Sequence, residues 1–363
     1  MEIYQHRAGL ARTRHALQQG QLTLGFIGGS ITDGRVPHNW PEPVIAWFIE
    51  HFPGVRVQVE NAAIGATGSD LAVFRAQRDL IDRGCDLVFI EYAVNDNGTP
   101  PVPRRRAREG LIRKLLAGEG RDLVLVYTYC QEMYAEMHAG QQPSSIAEFE
   151  ALGAHYQIGS VWMGLHALRE VMAGRMRWEE WLPDGLHPQY RGSLSYAQAV
   201  CTYLERELRT APSPTALPVG TELPLPLDAL NWESAIAVPF DAVQLDGPWT
   251  VRRSTNLVWA DCWLDTAAPG ARLTVPFSGR VLLIGCDFGR LSAEFRYRID
   301  DGDWQVSNRD RPYWCGNDGW YRTTLLADDL ADGPHTAEIE VIHGDRDGCT
   351  GTTFRIGLIG MVK

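Results

Sequence analysis

Three side chains in this sequence have the types and settings that nucleophilic attack on an ester requires. Ser30 follows a short apolar run over residues 22–27 and a pair of glycines, which predicts a hydroxyl in a tight turn at the end of a buried strand. Asp184 and His187 are three residues apart on a turn bounded by two prolines, so the carboxylate can reach a ring nitrogen of the imidazole. A hydroxyl activated by a carboxylate-oriented imidazole is the arrangement of a serine hydrolase.

Each of these two signals also has a structural interpretation. Gly-Gly-Ser is an ordinary turn between a strand and a helix, in which Ser30 would cap the helix. An isolated Asp-x-x-His is common and usually structural. The catalytic interpretation therefore needs further residues that would meet at the same place.

Ester hydrolysis also needs hydrogen-bond donors for the negative charge that develops on the carbonyl oxygen. Gly65 lies in a glycine-rich turn after a predicted strand over 55–61 and can present its backbone N–H without a side chain in the way. Asn95 follows a predicted strand over 86–92 and can offer its side-chain amide. With the backbone N–H of Ser30 these groups form a candidate oxyanion hole, although Gly65 alone is most simply a turn glycine and Asn95 a turn or cap residue.

These residues meet only if the first part of the chain folds as an open α/β sheet. Apolar strand-like runs alternate there with helical segments, which implies right-handed crossovers and a parallel sheet with helices on both faces. The loops that follow the first three strands would then share one sheet edge, where such folds bind ligands. The predicted strands cover 22–27, 55–61, 86–92 and 123–127, and a helix over 190–208 closes the domain.

The pattern changes beyond residue 210. A proline-rich connector over 211–221 separates the predicted α/β domain, residues 1–210, from residues 222–363, where alternating residues predict an antiparallel β-sandwich of jelly-roll type. The β domain also holds an aromatic group that we expect to be a sandwich core or domain interface, with a glycan platform or a contact with a second subunit as the alternatives. This group consists of Trp304, Tyr313, Trp314, Trp320 and Tyr321.

Composition excludes several classes of function. The net charge of −11 argues against nucleic acid as a partner, and we expect the one basic cluster, Arg104–Arg106 with Arg108, to form a solvated helix face. The seven cysteines are scattered singly without metal-type spacing, so we expect reduced thiols, no metal and no cofactor. The first twenty residues lack the apolar core of a signal peptide and no run approaches a membrane span, which predicts a cytoplasmic protein with no membrane partner.

Taken together, these residues resemble the signature of the SGNH hydrolases, also called GDSL-type esterases. The four blocks of that family are similar to Gly28–Ile31, Asn61–Gly65, Ala93–Asp96 and Asp184–Pro188, within residues 20 to 208. The resemblance implies a flavodoxin-like parallel sheet and a metal-free triad. In that triad Ser30 would be the nucleophile, His187 the base and Asp184 the orienting acid, and the oxyanion would be held by Ser30, Gly65 and Asn95.

The sequence departs from the family pattern in two places. The usual Gly-Asp-Ser is Gly-Gly-Ser here, with Gly29 in place of an acid that generally supports the loop. Ala93 stands where the third block usually has glycine. Neither change removes a catalytic group. The nucleophile elbow of the α/β-hydrolases is excluded because Thr32 occupies a position where that motif needs glycine.

Family members that combine such a hydrolase with a β jelly roll resemble carbohydrate esterases that remove acetyl groups from xylan or related sugars. The resemblance therefore implies a short-chain acyl esterase acting on acetylated oligosaccharides such as xylo-oligosaccharides. Trp40 and Trp181 lie near the proposed triad in sequence and are candidates for packing on a sugar ring, with core packing as the alternative. A lysophospholipase or acyl-thioesterase, and a non-catalytic glycan-binding protein, are the alternative functions.

Overall fold

The computed structural model describes residues 1–118, 120–209, 222–253, 259–287, 289–307, 309–312, 314–317, 320–343 and 350–363. The chain divides into two compact units, Met1–Glu233 and Ser234–Lys363. The predicted connector over 211–221 lies outside the described residues. No helix in the described part of the chain is long and apolar enough to cross a membrane.

The first unit is an α/β domain built on one six-stranded sheet. Its strands are β1 (Tyr4–Gln5), β2 (Gln21–Gly28), β3 (Arg56–Asn61), β4 (Leu87–Glu91), β5 (Asp122–Val126) and β6 (Gly159–Val161). Its helices are α1 (Ala11–Gln18), α2 (Pro41–His51), α3 (Ser69–Ala76), α4 (Pro101–Leu116), α5 (Tyr134–His138), α6 (Ser144–His155), α7 (Met163–Met172), α8 (Trp178–Trp181) and α9 (Tyr190–Arg209). A π-helical turn over Gln77–Ile81 extends α3, and a short 3-10 helix, Gln131–Met133, precedes α5.

The strand order is β1-β6-β5-β4-β2-β3, in which all the strands from β2 to β6 run parallel and only β1 is antiparallel. Counted from β2, the parallel strands follow the order 2-1-3-4-5, which confirms the predicted flavodoxin-like sheet. The order reverses between β2 and β4, and such a switch point opens a crevice at the carboxyl ends of the strands. Ser30 follows β2 and Asn95 follows β4, so this crevice receives both loops.

The two strands at the switch point are buried because both of their faces are covered. β4 is buried along its whole length, and β2 is buried from Leu22 to Gly28. The edge strand β3 is more exposed and carries polar residues at alternate positions. A continuous apolar run therefore marks the central strands and an alternating one marks the edge, as expected for a parallel sheet between helical layers.

Residues 222–233 belong to the first unit. The sequence had placed them in the β domain instead. The Glu109 carboxylate on α4 accepts hydrogen bonds from the backbone N–H groups of Leu227 and Asp228, and Arg113 donates to the Pro224 carbonyl at 2.7 Å. The backbone of Trp232 packs so closely on α4 that a Cβ at Gly110 would lie 2.4 Å from its carbonyl carbon. Apolar and proline-rich composition suggested a new domain, but these contacts tie the segment to α4.

The second unit is an antiparallel β-sandwich, as predicted. One sheet contains β7 (Ile236–Ala237), β9 (Thr250–Arg252), β10 (Trp263–Thr266), β12 (Val281–Asp287), β15 (Tyr321–Ala327) and β17 (Phe354–Val362). The other contains β8 (Gln244–Asp246), β11 (Arg272–Ser278), β13 (Glu294–Ile299), β14 (Gln305–Val306) and β16 (Pro334–Ile342). Residues of both sheets, among them Ile284 and Phe295, share one buried core.

The aromatic group of the β domain is divided between core and surface. Tyr321 is buried and its ring contacts that of buried Trp263, as the core prediction requires. Trp304 lies beneath the guanidinium groups of Arg296 and Arg298, and Trp314 is 45% exposed. Tyr313 lies outside the described residues. The core prediction therefore holds for part of this group only.

Candidate active site

The structure brings the three predicted catalytic side chains into one hydrogen-bonded chain. The Ser30 hydroxyl lies 2.9 Å from His187 Nε2, and His187 Nδ1 lies 2.8 Å from Asp184 Oδ2. When Nδ1–H donates to the carboxylate, Nε2 is left free to accept the serine proton. The sequence places Ser30 and His187 far apart, so this contact is produced by the fold.

The turn that carries Asp184 and His187 is held by its own backbone. Asp184 Oδ1 accepts the N–H groups of Leu186 at 2.9 Å and His187 at 2.7 Å, while Gly185 adopts a φ of +79°, which favours glycine. Gln131 N–H donates to the Gly185 carbonyl from the segment before α5. The carboxylate thus uses one oxygen for the turn and the other for the imidazole.

The Asp184 carboxylate is stabilised in its charged form. Partial burial acts to raise its pKa, but the hydrogen bonds from the His187 ring and from the backbone N–H groups of His187 and Leu186 outweigh burial and lower the pKa below its usual value. The side chains of His187 and Asp184 are 46% and 53% exposed. A carboxylate that stays ionised and accessible can orient the imidazole and stabilise the positive charge that forms when His187 takes a proton.

The loop that carries Ser30 is fixed to neighbouring segments on both sides. We call residues 28–33 the nucleophile loop. The side-chain amide of Asn61, at the end of β3, donates to the Thr32 carbonyl at 2.9 Å, and the N–H of Ile64 donates to the Gly28 carbonyl at 3.0 Å. These bonds continue the β2–β3 pairing beyond the sheet. They place Gly65 one residue after a backbone contact with the nucleophile loop.

Asn95 also comes to this loop. A Cβ built on Gly29 would lie 1.9 Å from Asn95 Oδ1 and 2.8 Å from Nδ2, so the Asn95 side chain occupies the space that a side chain at position 29 would fill. The loops that carry Ser30, Gly65 and Asn95 are thus gathered at the carboxyl ends of three adjacent strands, β3, β2 and β4. The close packing also gives a physical reason for the departure from Gly-Asp-Ser, because an aspartate at position 29 would displace Asn95.

The Asn95 loop is supported by a buried ion pair that the sequence did not reveal. Asp96 is 1% exposed and accepts a 2.8 Å hydrogen bond from Arg108 Nε on α4, together with hydrogen bonds from the N–H and hydroxyl of Ser69 at the start of α3. Arg104, one turn earlier, donates to the carbonyls of Asp96, Asn97 and Thr99. Together these bonds hold the loop that follows β4 against α3 and α4.

The prediction of a solvated arginine cluster is therefore wrong for two of its members. Arg104 and Arg108 are 5% and 0% exposed, while Arg105 between them faces solvent. Arg104 and Arg108 also bind Glu148 on α6, and Arg108 donates to the Ser145 carbonyl. Charge density along the sequence suggested a surface, but acceptors from distant segments make burial of these guanidinium groups possible.

Trp40 and Trp181 were predicted as candidate substrate contacts, and their burial contradicts this. Both are 0% exposed. Trp40 packs against Phe26 and donates its indole N–H to Thr32 Oγ1 at 3.0 Å, and Trp181 donates to the Tyr196 hydroxyl at 3.1 Å. Both rings therefore form the core beneath the site. The half-buried Trp178, which stacks on Trp181, is the accessible ring of that helix.

Glu91 is a further polar residue that sequence reasoning missed. It ends β4, is fully buried and lies opposite Gly28 in the parallel register. Its carboxyl group contacts the nucleophile loop at Gly29 and Thr32. The available signal was a single acid at the end of an otherwise apolar strand, which is rare in a buried sheet unless the carboxyl has partners.

The described residues show no metal-type cluster of side chains. Within the part of the chain that the structure describes, no group of three or more His, Cys, Asp or Glu side chains is arranged to hold a metal ion. The six described cysteines are all free thiols, and Cys349 lies outside the described residues.

Comparison with solved structures finds two-domain proteins of the same fold. A crystal structure of a two-domain esterase (CEX) active on acetylated mannans, co-crystallised with mannopentaose, is 22% identical, with a TM-score of 0.81 over 99% of this chain and 96% of that one. A second structure of a two-domain esterase with that description, without mannopentaose, is 21% identical, with a TM-score of 0.81 and the same two coverages. An acetylxylan esterase from Geobacillus stearothermophilus is 17% identical, with a TM-score of 0.44 over 52% of this chain and 95% of that one.

These likenesses concern the fold. The two-domain esterase aligns with nearly the whole chain, which confirms the predicted fold class of an α/β domain followed by a β-sandwich. No family model and no curated protein matches the chain.

Proposed function

We propose that this protein is a serine esterase of the SGNH type that removes short acyl groups, above all acetyl, from hydroxyl groups of oligosaccharides. The observation that carries the proposal is the chain of contacts from Ser30 through His187 to Asp184 at the switch point of the sheet. Those three side chains have the types, order of contacts and accessibility that acyl transfer requires. The resemblance of the four sequence blocks to the SGNH signature supports the same conclusion.

The reaction would proceed in two steps. In the first, Ser30 Oγ attacks the ester carbonyl while His187 Nε2 takes the serine proton, and the imidazolium then gives this proton to the departing sugar oxygen. In the second, His187 takes a proton from water, the hydroxide attacks the acyl-serine carbonyl, and the proton returns to Ser30 as the carboxylic acid leaves. Asp184 holds Nδ1 protonated in both steps and stabilises the imidazolium.

The oxyanion of each tetrahedral intermediate would lie between three donors. We assign these to the backbone N–H groups of Ser30 and Gly65 and to the side-chain amide of Asn95. The packing of the Asn95 side chain against Gly29 supports this assignment, because it brings Oδ1 and Nδ2 of that amide beside the residue that precedes the nucleophile. Loss of one such donor costs on the order of a hundredfold or more in turnover.

The choice of an acetylated glycan rests on the neighbour that aligns with the whole chain. That protein is described as active on acetylated mannans, and the family resemblance points to acetylated xylan or related sugars. Both are acetylated polysaccharides, so the shared chemistry is an acetyl ester on a sugar hydroxyl. We therefore propose acetylated manno- and xylo-oligosaccharides as the substrate class.

The experiment compares wild-type protein with Ser30→Ala, His187→Gln and His51→Gln. His51 is an exposed histidine at the end of α2 and serves as the matched control. We expect acetate release from acetylated manno- or xylo-oligosaccharides by the wild type and by His51→Gln. The other two variants should lose at least about a thousandfold. A fluorophosphonate probe should label Ser30, located by peptide mass spectrometry.

The alternatives give different results in the same experiment. A lysophospholipase or acyl-thioesterase would prefer octanoyl over acetyl nitrophenyl esters, whereas an acetyl esterase should lose activity steeply as the chain lengthens. A non-catalytic glycan-binding protein would bind oligosaccharides but release no acetate and take up no fluorophosphonate. Full esterase activity in Ser30→Ala would refute the proposed nucleophile.

A further inference from the structure

Glu91 is a fully buried acid on β4 that contacts the nucleophile loop. Its Oε2 accepts hydrogen bonds from the backbone N–H of Gly29 at 3.4 Å and from Thr32 Oγ1 at 3.1 Å. Its Oε1 lies 2.7 Å from Thr128 Oγ1. One carboxyl oxygen therefore binds a residue on each side of Ser30, and the other binds the segment that follows β5.

The direction of the Thr32 bond is set by a third residue. The Trp40 indole N–H lies 3.0 Å from Thr32 Oγ1, and an indole can only donate. Thr32 Oγ1 accepts that hydrogen bond, so its own proton is available for Glu91 Oε2. The order Trp40 to Thr32 to Glu91 fixes the hydroxyl rotor and makes Oε2 an acceptor for both loop residues, whether or not Oε1 carries a proton.

Stability alone does not account for a carboxyl group at this position. Glu91 is 0% exposed, and its hydrogen-bond partners in the described part of the chain are two hydroxyls and one amide, with no cationic side chain. Burial raises its pKa from 4.5 to about 7. Desolvating a carboxyl group without a cation is unfavourable, whereas the same residue gives the nucleophile loop two bonds.

We propose that Glu91 is the positioning residue of the nucleophile loop: from the neighbouring strand it supplies the support that the aspartate of Gly-Asp-Ser supplies from within the loop. In this chain the loop cannot carry that aspartate, because Asn95 fills the space beside Gly29. Glu91 binds the loop through the Gly29 amide and the Thr32 hydroxyl. The inference rests on the proposed function in that Ser30 is taken as the nucleophile.

Three variants test this role against a merely structural one. Glu91→Leu removes the acceptor at nearly constant volume, and Glu91→Gln keeps an acceptor oxygen for the loop and can donate to Thr128. Glu109→Leu is the matched control, because Glu109 is equally buried in the same unit and accepts hydrogen bonds from Tyr156 and two backbone N–H groups, but does not touch the loop.

The expected result is a split between kcat and KM. In Glu91→Leu, kcat for an acetyl ester should fall about 10- to 100-fold with KM within about twofold, because a displacement of about 1 Å at the reacting group has that cost. Glu91→Gln should restore kcat to within about threefold of wild type, and Glu109→Leu should leave it unchanged. A folded Glu91→Leu with wild-type kcat, or a Glu91→Gln that falls as far as Glu91→Leu, would overturn the proposal.

A second measurement does not depend on activity. Hydrogen exchange of the peptide that spans residues 29–33 should accelerate about tenfold or more in Glu91→Leu, and should stay at the wild-type rate in Glu91→Gln and Glu109→Leu. If Glu91→Leu fails to fold, Thr32→Val breaks the same link while keeping the carboxyl group, and it should show the same loss of kcat and faster exchange. An inactive wild type would refute the proposed function, while unchanged exchange in folded Glu91→Leu or Thr32→Val would refute the role of Glu91.

Discussion

Alanine in place of Gly29 should disable the site, although it adds only one methyl group. The Cβ would lie 1.9 Å from Asn95 Oδ1 and 2.6 Å from its Cγ, whereas carbon makes ordinary contacts at about 3.5 Å. The Asn95 side chain must therefore move by about 1.5 Å, or the nucleophile loop must move by a similar amount. Either shift separates Ser30 from a donor that we assign to the oxyanion.

The magnitude follows from that displacement. Misplacing a catalytic group by about 1 Å, or removing one oxyanion donor, each costs about a hundredfold in turnover, which is about 3 kcal/mol of transition-state stabilisation. Gly29→Ala should therefore lower kcat about 100-fold. Gly29→Asp, which introduces the Gly-Asp-Ser of the SGNH signature, should be at least as impaired.

The assay is a double-mutant cycle that combines Gly29→Ala with Asn95→Ala. For each variant, kcat and KM are measured with nitrophenyl acetate as the substrate. Asn95→Ala removes the atoms with which the new Cβ would collide, so Gly29→Ala should cost almost nothing further in that background, and the two changes should be coupled by about 3 kcal/mol. Gly98→Ala is the control: Gly98 lies on the same loop as Asn95, and a Cβ there would meet nothing within 4 Å.

Two results would refute the reasoning. The first is a folded Gly29→Ala protein with wild-type kcat, which would show that the Asn95 amide is not seated against the nucleophile loop. The second is an additive cycle, in which Gly29→Ala costs the same hundredfold with and without the Asn95 side chain. That result would place the damage in the backbone of the loop.

Three further predictions concern the buried and exposed acids of the first unit. Burial raises the pKa of Glu91 from 4.5 to about 7, and the charge of Asp96 adds a smaller contribution in the same direction. The three hydrogen bonds to Glu91 lower its pKa but do not outweigh burial. The neighbouring titratable groups are Tyr92 and Tyr196. Folding thus favours the protonated form of Glu91, which contributes about 3 kcal/mol of stability that is complete below about pH 4.5 and is lost as pH rises through about 7. In urea unfolding, the stability of wild type relative to Glu91→Gln should therefore fall by most of that amount between about pH 5 and pH 8. A stability difference that stays constant with pH would contradict this prediction. Arg108→Met leaves the Asp96 carboxylate buried without its 2.8 Å partner and should cost about 3–5 kcal/mol of unfolding free energy, whereas Met at the exposed Arg105 should change it by less than about 0.5 kcal/mol. Asp184→Asn should lower kcat on the order of ten-thousandfold, because the amide favours the wrong tautomer of His187, with little change in the thermal midpoint since Asp184 is exposed.

The central strands of the α/β domain could be predicted from the sequence because their signal is local. β2 and β4 were placed to within about a residue at each end, since a continuous apolar run bounded by glycine or turn residues has few alternative interpretations. The two-residue strand β1 was missed, because it forms only through pairing with β6 and carries no periodicity of its own. The start of the second unit was also misplaced, since the segment before Ser234 is held by Glu109 from a distant helix.

The candidate site divides in the same way. The contact between Asp184 and His187 could be predicted from their spacing. The partners of Arg108 come instead from the loop after β4, 12 residues earlier, and from α6, 37 residues later. Charge alone suggested a solvated helix face there. Proximity to Ser30 in sequence makes Trp40 a candidate for packing on a sugar ring, with core packing as the alternative. The structure supports the alternative, because the ring is buried and its indole N–H donates to Thr32 Oγ1.

Two buried acids, Glu91 at the end of β4 and Asp96 in the loop that follows it, explain how the exposed pair His187 and Asp184 can act on a nucleophile whose position is fixed. Glu91 extends to the loop of the adjacent strand β2, and Asp96 extends to the first residue of α3 and to α4. The Glu91 contact follows from the pairing of β4 with β2, which is the strand order at the switch point. These bonds hold the nucleophile loop to β4 and the Asn95 loop to α3 and α4, while His187 comes from the separate turn after α8. On this view the rigidity of the site depends on the strand order, and the catalytic turn needs only to place one ring nitrogen against a hydroxyl that is already fixed.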